Sequence, residues 1–178
     1  MKFLACFLFI ILAFCSCKEE FQHFETEIEG TKLKITLEQY NDSSYALVLM
    51  KNNQFHSKWE LEYPVYRFDY GDITKDEIPE IAVGVIKTTR FDPNLDKRLF
   101  IFHITDDFYI RPLWLGSRVA QPLVDFQIKK EKIYTIEKEL SGNFLVAEYA
   151  WKGFGLEFKR YIERELTLSK AKKLLKKT

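Results

Sequence analysis

The feature that most constrains the fold of this chain is a long succession of short segments with the residue pattern of β-strands. Residues 32–38 alternate apolar and polar side chains with a period of two, as in a strand buried on one face. Residues 46–50 form a continuous apolar run, which suits a strand covered on both faces. Asn, Asp and Ser residues at 41–44 and 52–53 favour turns between these segments. A chain with 16% aromatic residues but only 7 Gly and 5 Pro is also typical of a globular, β-rich protein.

The same pattern continues towards the C terminus. Further strands are predicted at 55–63, 65–69, 80–87, 97–104, 107–114, 122–128, 132–138, 143–151 and 154–161. Only the tail, residues 163–178, has a helical period, with Leu168, Ala171 and Leu175 on one face. We therefore expect a β domain over residues 24–162, followed by a basic C-terminal helix.

A weak internal repeat indicates how the strands are grouped. The segment with Asn52-Asn53, Trp59, Pro64 and Phe68 is followed by one with Asp106-Asp107, Trp114, Pro122 and Phe126. The prolines and the phenylalanines are each 58 residues apart, and the tryptophans are 55 apart. Repeats of this length are typical of propeller blades, which are four-stranded antiparallel sheets. We therefore predict an all-β fold of about three antiparallel four-stranded meanders, in a partial or small β-propeller-like arrangement with a short C-terminal helix. A β-sandwich is the alternative.

The three cysteines all lie near the N terminus, at Cys6, Cys15 and Cys17. A disulfide framework therefore cannot hold the remainder of the chain together. One lysine followed by an apolar run over residues 3–14 predicts a signal peptide at residues 1–16, because the run is too short to span a bilayer.

Residues 14–17 (Phe-Cys-Ser-Cys) resemble the lipobox of bacterial lipoproteins, in which a small residue such as Ser16 precedes the acceptor thiol. The resemblance implies that Cys17 is lipidated and begins the mature chain, with residues 17–23 as the anchor linker. Residues 18–20 (Lys-Glu-Glu) resemble the charged export signal of Bacteroidetes-type lipoproteins. We therefore expect a small lipoprotein held in the outer membrane of a bacterial envelope by its lipid, with the export signal implying exposure at the cell surface.

An acidic loop precedes the apolar run at residues 81–86. Its pattern is Asp72-x-Thr74-x-Asp76-x-x-x-Glu80, which resembles the calcium loop of FG-GAP and VCBS-type repeats in integrin-α-like propellers. Calcium takes about six to eight oxygen ligands. The resemblance implies five such donors, namely the carboxylates of Asp72, Asp76 and Glu80, the hydroxyl of Thr74 and the backbone carbonyl of Ile78. At residue 77 the chain has Glu where the family has Gly, which tolerates a positive φ, so a simple turn is the alternative.

Other functional classes have little support in the sequence. A formal charge of +1 argues against a nucleic-acid partner, which usually requires a basic excess. His23, His56 and His103 lack the spacing of metal ligands, and no nucleophile or phosphate-binding motif follows Cys17. The tail, residues 159–178, has eight basic and two acidic residues, a net charge of +6. It is interpreted as a solvated end that folds back on an acidic face, with contact to anionic lipid as the alternative.

Aromatic residues are dense enough to suggest a sugar-stacking platform. Candidates are Trp59, Trp114, Tyr149, Trp151 and Phe154. Because each aromatic side chain buries a large apolar area, we expect these residues to belong to the core instead.

These patterns favour a non-enzymatic binding or interaction module for an unidentified protein or glycan ligand. The alternative is an envelope hydrolase with a glycoside-type carboxylate pair, or the accessory subunit of one.

Overall fold

The computed structural model describes residues 22–90, 92–116 and 118–178, and within these ranges the chain forms twelve strands and one helix. The strands make three four-stranded antiparallel sheets, each a meander of consecutive strands. The all-β prediction of three four-stranded meanders with a short C-terminal helix is confirmed. A two-sheet sandwich is excluded, because there are three sheets and the second packs on the first with one face and on the third with the other.

The first sheet contains β1 (Gln22–Ile28), β2 (Thr31–Asn41), β3 (Ser44–Lys51) and β4 (Gln54–Leu61). The second contains β5 (Val65–Gly71), β6 (Glu80–Thr89), β7 (Asp92–Ile104) and β8 (Ile110–Gly116). The third contains β9 (Leu123–Lys129), β10 (Lys132–Lys138), β11 (Phe144–Lys152) and β12 (Gly155–Leu166), and helix α1 (Leu168–Lys177) follows it.

Two predicted boundaries need correction. β1 already begins at Gln22, so His23 belongs to the β domain and not to the anchor linker. β12 continues to Leu166, where its register with Phe144 keeps it in the sheet, so residues 163–166 are strand and not helix. The signal-peptide and lipidation predictions, including Cys17, fall outside the described residues.

Tight hairpins connect several strands. Asn52 and Asn53 both have positive φ, +49° and +64°, as do Lys130 and Glu131 at +49° and +61°. Two consecutive positive-φ residues are the signature of a type I′ turn, whose twist matches that of the flanking strands. Asparagine tolerates this backbone region well, which explains why the first of these turns is recognisable from the sequence.

The sheets stack face to face in chain order. Ile35 and Leu47 of the first sheet lie in one buried cluster with Val83 and Phe102 of the second sheet. The opposite face of the second sheet packs on the third, where a separate cluster contains Phe126, among others. β6 therefore has apolar neighbours on both faces, which accounts for its uninterrupted apolar sequence. Burial of each large side chain in these clusters contributes about 1.5–3 kcal/mol.

The first strands of the second and third sheets run side by side in the same direction. Arg67 of β5 lies 3.9 Å from Asp125 of β9. Two residues further along β5, the carboxylate of Asp69 accepts a hydrogen bond from the backbone N–H of Ile128 at 2.9 Å. A Cβ on Gly71 would lie 2.5 Å from the Ile128 side chain, so only glycine permits this close approach. Parallel first strands are the arrangement of neighbouring propeller blades.

Corresponding strands of the first and second sheets also run in the same direction. The Ser57 hydroxyl near the start of β4 donates to the carbonyl of Phe108, just before β8, at 3.4 Å. A ring nitrogen of the neighbouring His56 lies 3.2 Å from the carbonyl of Asp107. The fourth strands of these two sheets therefore begin at the same end of the stack.

The sequence repeat corresponds to successive contacts between sheets. Trp59 on β4 and Phe68 on β5 pack into the cluster between the first and second sheets. Trp114 on β8 and Phe126 on β9 occupy the cluster between the second and third sheets. Each Trp–Phe pair thus joins the fourth strand of one sheet to the first strand of the next.

The outer faces of the first and third sheets, at the two ends of the stack, are protected in different ways. The outer face of the first sheet carries charged residues such as Glu25, paired across the strands with Lys34. The outer face of the third sheet is apolar, and α1 covers it with Ala171 and Leu175, which are 0% and 3% exposed. A stacked-sheet array needs such terminal caps because an uncovered apolar face would promote aggregation.

Helix α1 begins with an N-cap. The side-chain oxygen of Thr167 accepts a hydrogen bond from the N–H of Lys170, which satisfies one of the free donors of the first turn. The predicted apolar face is confirmed, with Leu168 packed beside the two buried residues. Among the described residues, no helix has both the length and the apolar character needed to cross a bilayer.

Candidate functional site

The acidic loop lies between β5 and β6 and is fixed at both inter-sheet clusters. Ile73, which is 2% exposed, packs into the cluster between the second and third sheets. Ile78 packs against the cluster between the first and second sheets. Glu80 is the first residue of β6 and is 2% exposed. The loop therefore spans the edge of the second sheet and contacts the packing on both of its faces.

The aspartates of the loop bind backbone amides. One carboxylate oxygen of Asp72 accepts hydrogen bonds from the N–H groups of Lys75 at 2.6 Å and Asp76 at 3.2 Å. Its other oxygen accepts from the N–H of Glu77 at 3.0 Å. The carboxylate of Asp76 accepts from the N–H of Ile78 at 2.9 Å. These side chains hold the turn closed by satisfying amides that no strand partner reaches.

Glu80 closes the loop from the opposite side. One of its oxygens accepts from the N–H groups of Ile73 at 2.8 Å and Thr74 at 3.1 Å, and the other from the Thr74 hydroxyl at 3.0 Å. Burial raises the pKa of Glu80, and these hydrogen bonds oppose that rise. The structure thus brings the predicted donors Thr74 and Glu80 into direct contact with each other.

The loop backbone has the conformation that the calcium-loop family provides with glycine. Glu77 has a φ of +70°, and Lys75 has a φ of +71°. A non-glycine residue in this region costs on the order of 1–2 kcal/mol, because its Cβ approaches the following carbonyl. The loop therefore has a strained backbone at two non-glycine residues, and one of them is Glu77.

The fit of the loop to a calcium ion is only partial. The donor spacing is visible in the sequence, but in the structure the carboxylates are directed to backbone amides. Across the described ranges, no group of three or more His, Cys, Asp or Glu side chains is arranged to hold a metal ion. Calcium binding by Asp72, Thr74, Asp76, Ile78 and Glu80 therefore stays a prediction.

Thermal melts with calcium and with chelator test this prediction. If calcium occupies the loop, the free energy of unfolding rises by about 2.7 kcal/mol at a hundredfold excess over Kd. Asp76→Asn then weakens the response, since it removes a ligand charge and keeps the side-chain shape. Glu77→Gly raises stability by about 1 kcal/mol even without calcium, because it removes the strain at φ +70°, and it strengthens the calcium response. A parent melt unaffected by both calcium and chelator contradicts calcium binding and identifies the loop as a turn.

A buried glutamate that the sequence reading missed ties the third sheet to the segment before β9. Glu137 on β10 is 0% exposed. Its carboxylate accepts from the hydroxyls of Thr135 at 2.6 Å and Tyr149 at 2.8 Å and from the N–H of Gln121 at 2.7 Å. Tyr149 in turn accepts from the N–H of Ala120 at 3.0 Å. The signal in the sequence is weak, because Glu137 is one of several polar residues in a strand that also contains Lys132, Thr135 and Lys138.

Burial raises the pKa of Glu137, with the hydrogen bonds acting in the opposite direction. Burial also raises the pKa of Tyr149, with a further contribution from the neighbouring Glu137. The pair thus favours a protonated tyrosine that donates to the carboxylate. All the donors to the Glu137 carboxylate belong to the fold itself. The cluster therefore has a structural role, which is to hold the segment 118–122 against the third sheet.

Other buried or half-buried carboxylates also have partners within the fold. Glu148, on the outer face of the third sheet, binds Lys132 and accepts from Arg160 at 2.9 Å and 3.0 Å. Burial alone would raise the pKa of Glu148, but the bonds from Lys132 and Arg160 together lower it. Asp92 pairs with the 3% exposed Arg98 at 3.0 Å.

Exposed apolar side chains form a patch beside the outer edge of the third sheet. Phe158 and Tyr161 on β12 are each 40% exposed, with ring centroids 4.7 Å apart. Tyr161 also lines a shallow cleft with Leu140, which is fully exposed on the turn after β10. We call Leu140, Phe158 and Tyr161 the edge patch. Its neighbouring charges are paired, because Arg164 donates to Glu139 at 2.7 Å and 2.9 Å.

The aromatic residues of the sequence analysis divide between core and surface. Trp59, Trp114, Tyr149 and Trp151 pack into or against the inter-sheet clusters, as expected. Phe154 is 94% exposed, so its assignment to the core was wrong. Phe154 lies on the turn from β11 to β12, where no second sheet covers it. The sequence analysis did not single out Phe158 and Tyr161, the two exposed aromatic residues of the edge patch.

Comparisons of this chain with protein-family models, with curated proteins and with solved structures find no match.

Proposed function

We propose that this protein is a lipid-anchored component of a bacterial cell envelope that binds a protein or glycan ligand without catalysing a reaction. The observation that carries the binding part of the proposal is the edge patch, in which two adjacent aromatic rings lie beside a cleft that one of them, Tyr161, lines with the fully exposed Leu140. Rigid aromatic side chains on a sheet provide large contact areas with little loss of side-chain entropy.

The charges around the edge patch favour recognition over catalysis. A hydrolase of the glycoside type needs one carboxylic acid and one free carboxylate facing a common cleft. Two carboxylates, Glu139 and Glu165, line this cleft. Glu139 is paired with Arg164 and also accepts from the N–H of Glu165 at 3.1 Å. Such a fully bonded carboxylate orders the surface next to the patch and is poorly suited to proton transfer.

The anchoring part of the proposal rests on residues 14–20 of the sequence. A lipid on Cys17 leaves a linker of residues 18–21 before β1 begins at Gln22. Extended chain spans at most about 3.3–3.6 Å per residue, so such a linker holds the β domain within roughly 20 Å of the bilayer. The expected partners are therefore other molecules of the envelope.

Fatty-acid labelling of cells tests the anchor. The parent chain is expected to incorporate label and to fractionate with membranes, whereas Cys17→Ala is expected to lose the label, because the acceptor thiol is gone. Cys15→Ala is the matched control and should remain labelled, since bulky Phe14 precedes that thiol. Label that persists in Cys17→Ala contradicts the assignment.

Binding to isolated cell envelopes tests the edge patch. The double variant Leu140→Ser/Tyr161→Ser is expected to lose most of its binding, because truncation of central interface anchors commonly costs about 2 kcal/mol or more each. The control Phe55→Ser/Leu95→Ser removes side chains that are 63% and 72% exposed on the first and second sheets, and it should bind like the parent. Protease treatment of the envelopes that abolishes binding identifies a protein ligand, and periodate treatment that does so identifies a glycan. Equal binding by both double variants contradicts the role of the patch.

A further inference from the structure

Helix α1 presents a continuous basic surface. Lys170, Lys172, Lys173, Lys176 and Lys177 are all exposed, and residues 166–178 contain no acidic side chain. We call these five residues the lysine face. The opposite side of the helix carries the buried Ala171 and Leu175, so the lysines point away from the third sheet.

The lysine face has no acidic counterpart in the described part of the chain. No ion pair among the described residues includes any of the five lysines. Glu148, an acidic residue on the sheet surface that carries the helix, is already held between Lys132 and Arg160. The expectation that the tail, residues 159–178, folds back on an acidic face holds for its strand part, where Arg160 and Arg164 pair with Glu148 and Glu139. It does not hold for α1, which docks through apolar contacts and keeps its charge exposed.

Helix stability does not explain all of these lysines. Lys176 and Lys177 lie in the last turn, where positive charge complements the helix dipole. Lys170 lies in the first turn of this ten-residue helix, which has no acidic residue, and Lys172 and Lys173 lie in its middle. Positive charge near a helix N terminus is unfavourable. The helix dipole therefore opposes the charge of Lys170 and gives no reason for the charges of Lys172 and Lys173.

The charge of the molecule is also unevenly distributed. Residues 22–63, which include the whole first sheet, have seven acidic and four basic residues, a net charge of −3. Residues 159–178 have a net charge of +6, from eight basic and two acidic residues. A molecule polarised in this way orients its basic end towards a negatively charged surface.

The direction of the strands places the helix start and the chain start at one end of the stack. The fourth strand of a meander ends where its first strand begins, so β12 ends at the end of the third sheet at which β9 starts. The three sheets run in the same direction, as the β5–β9 and β4–β8 contacts establish. Thr167, before α1, therefore lies at the same end as Gln22, the residue that follows the proposed anchor linker.

We propose that the lysine face docks on a bilayer surface rich in anionic phospholipid. Lysine ammonium groups on flexible stems, spread over one helix face, suit a layer of phosphates in varied positions better than one fixed phosphate. Leu168 lies among them on the first turn and is only half-buried. The inference goes beyond the proposed anchor and ligand, because it requires neither the lipid on Cys17 nor the edge patch.

Vesicle co-sedimentation tests the proposal with the non-acylated chain 18–178, which contains every described strand, cluster and helix. The parent is expected to bind mixed phosphatidylglycerol–phosphatidylcholine vesicles, to ignore pure phosphatidylcholine, and to dissociate as ionic strength rises. Lys173→Gln/Lys176→Gln removes two outward charges and keeps good helix formers. It should weaken binding about 30-fold, since each lysine near such a surface contributes about fivefold.

The control Lys32→Gln/Lys34→Gln makes the same charge change on the first sheet and should bind like the parent. Equal binding by both double variants, or by the parent to neutral and anionic vesicles, overturns the proposal. Tighter binding to soluble inorganic polyphosphate than to anionic vesicles also overturns it and identifies a soluble polyanion as the ligand. Circular dichroism of all three chains verifies that the helix is intact. The edge-patch double variant should still bind vesicles, which separates this result from the proposed ligand binding.

Discussion

A chain that ends at Leu166 is expected to lose its cooperative thermal transition. Removal of α1 uncovers Tyr134, Ile136 and Val146, which are at most 8% exposed in the intact protein. A single buried Leu→Ala change commonly costs about 2–5 kcal/mol, and the deletion removes Leu175 together with the rest of the covering helix. Because a domain of this size has a total stability of about 5–15 kcal/mol, little or none should remain.

Calorimetry and binding of a hydrophobic dye measure this outcome. The truncated chain should show increased dye binding and concentration-dependent aggregation, because the third sheet then ends in an open apolar face. Lys173→Gln/Lys176→Gln, which alters only the exposed side of the same helix, should change stability by less than about 0.5 kcal/mol. A sharp transition in the truncated chain would show that the three sheets suffice without their cap.

Replacement of Glu137 by alanine is expected to be the most destabilising single change among the polar residues considered above. The substitution leaves the hydroxyls of Thr135 and Tyr149 and the N–H of Gln121 without their acceptor. Each buried unsatisfied group costs about 1–3 kcal/mol, so the loss of an acceptor for these three groups should cost about 3 kcal/mol or more. Glu60→Ala on β4, which removes an exposed glutamate paired with Lys58, should have a far smaller effect on stability, because solvent screens an exposed ion pair.

Glu137→Gln separates hydrogen bonding from charge. The amide oxygen can accept from Gln121, and the two hydroxyls can rotate to accept from the amide nitrogen, so the network survives without a buried charge. Denaturant unfolding of parent and variant over about pH 4 to 8 measures the difference.

The sign of the pH effect follows from the raised pKa of the folded carboxyl. Between its ordinary and its raised value the folded state binds more protons than the unfolded state, so the contribution of Glu137 to stability falls as pH rises. The Gln variant lacks this dependence. Its stability relative to the parent should therefore be greatest near neutral pH and decline in acid, and a difference independent of pH would contradict the raised pKa.

Local patterns in the sequence determined most of the elements of this fold. Period-two alternation predicted β2, the apolar runs predicted β3 and β6, and Asn52-Asn53 predicted the turn between β3 and β4. The face of α1 that contains Ala171 and Leu175 also follows from spacing alone. These features depend on interactions between residues close in sequence, so the sequence carries them directly.

Tertiary contacts decided the remainder. Glu137 holds the segment before β9 in place only because Gln121 and Tyr149, from other segments, donate to its carboxylate. Phe154 is exposed because no sheet covers the β11–β12 turn. The lysines of α1 stay exposed because the helix docks through its apolar face, whereas the net charge of the tail suggested an acidic counterpart.

The acidic loop depends on both the local sequence and the tertiary structure. Its spacing is visible in the sequence, but only the folded loop directs Asp72 and Glu80 to backbone amides, because side-chain direction depends on the packing of Ile73 and Ile78 on either side.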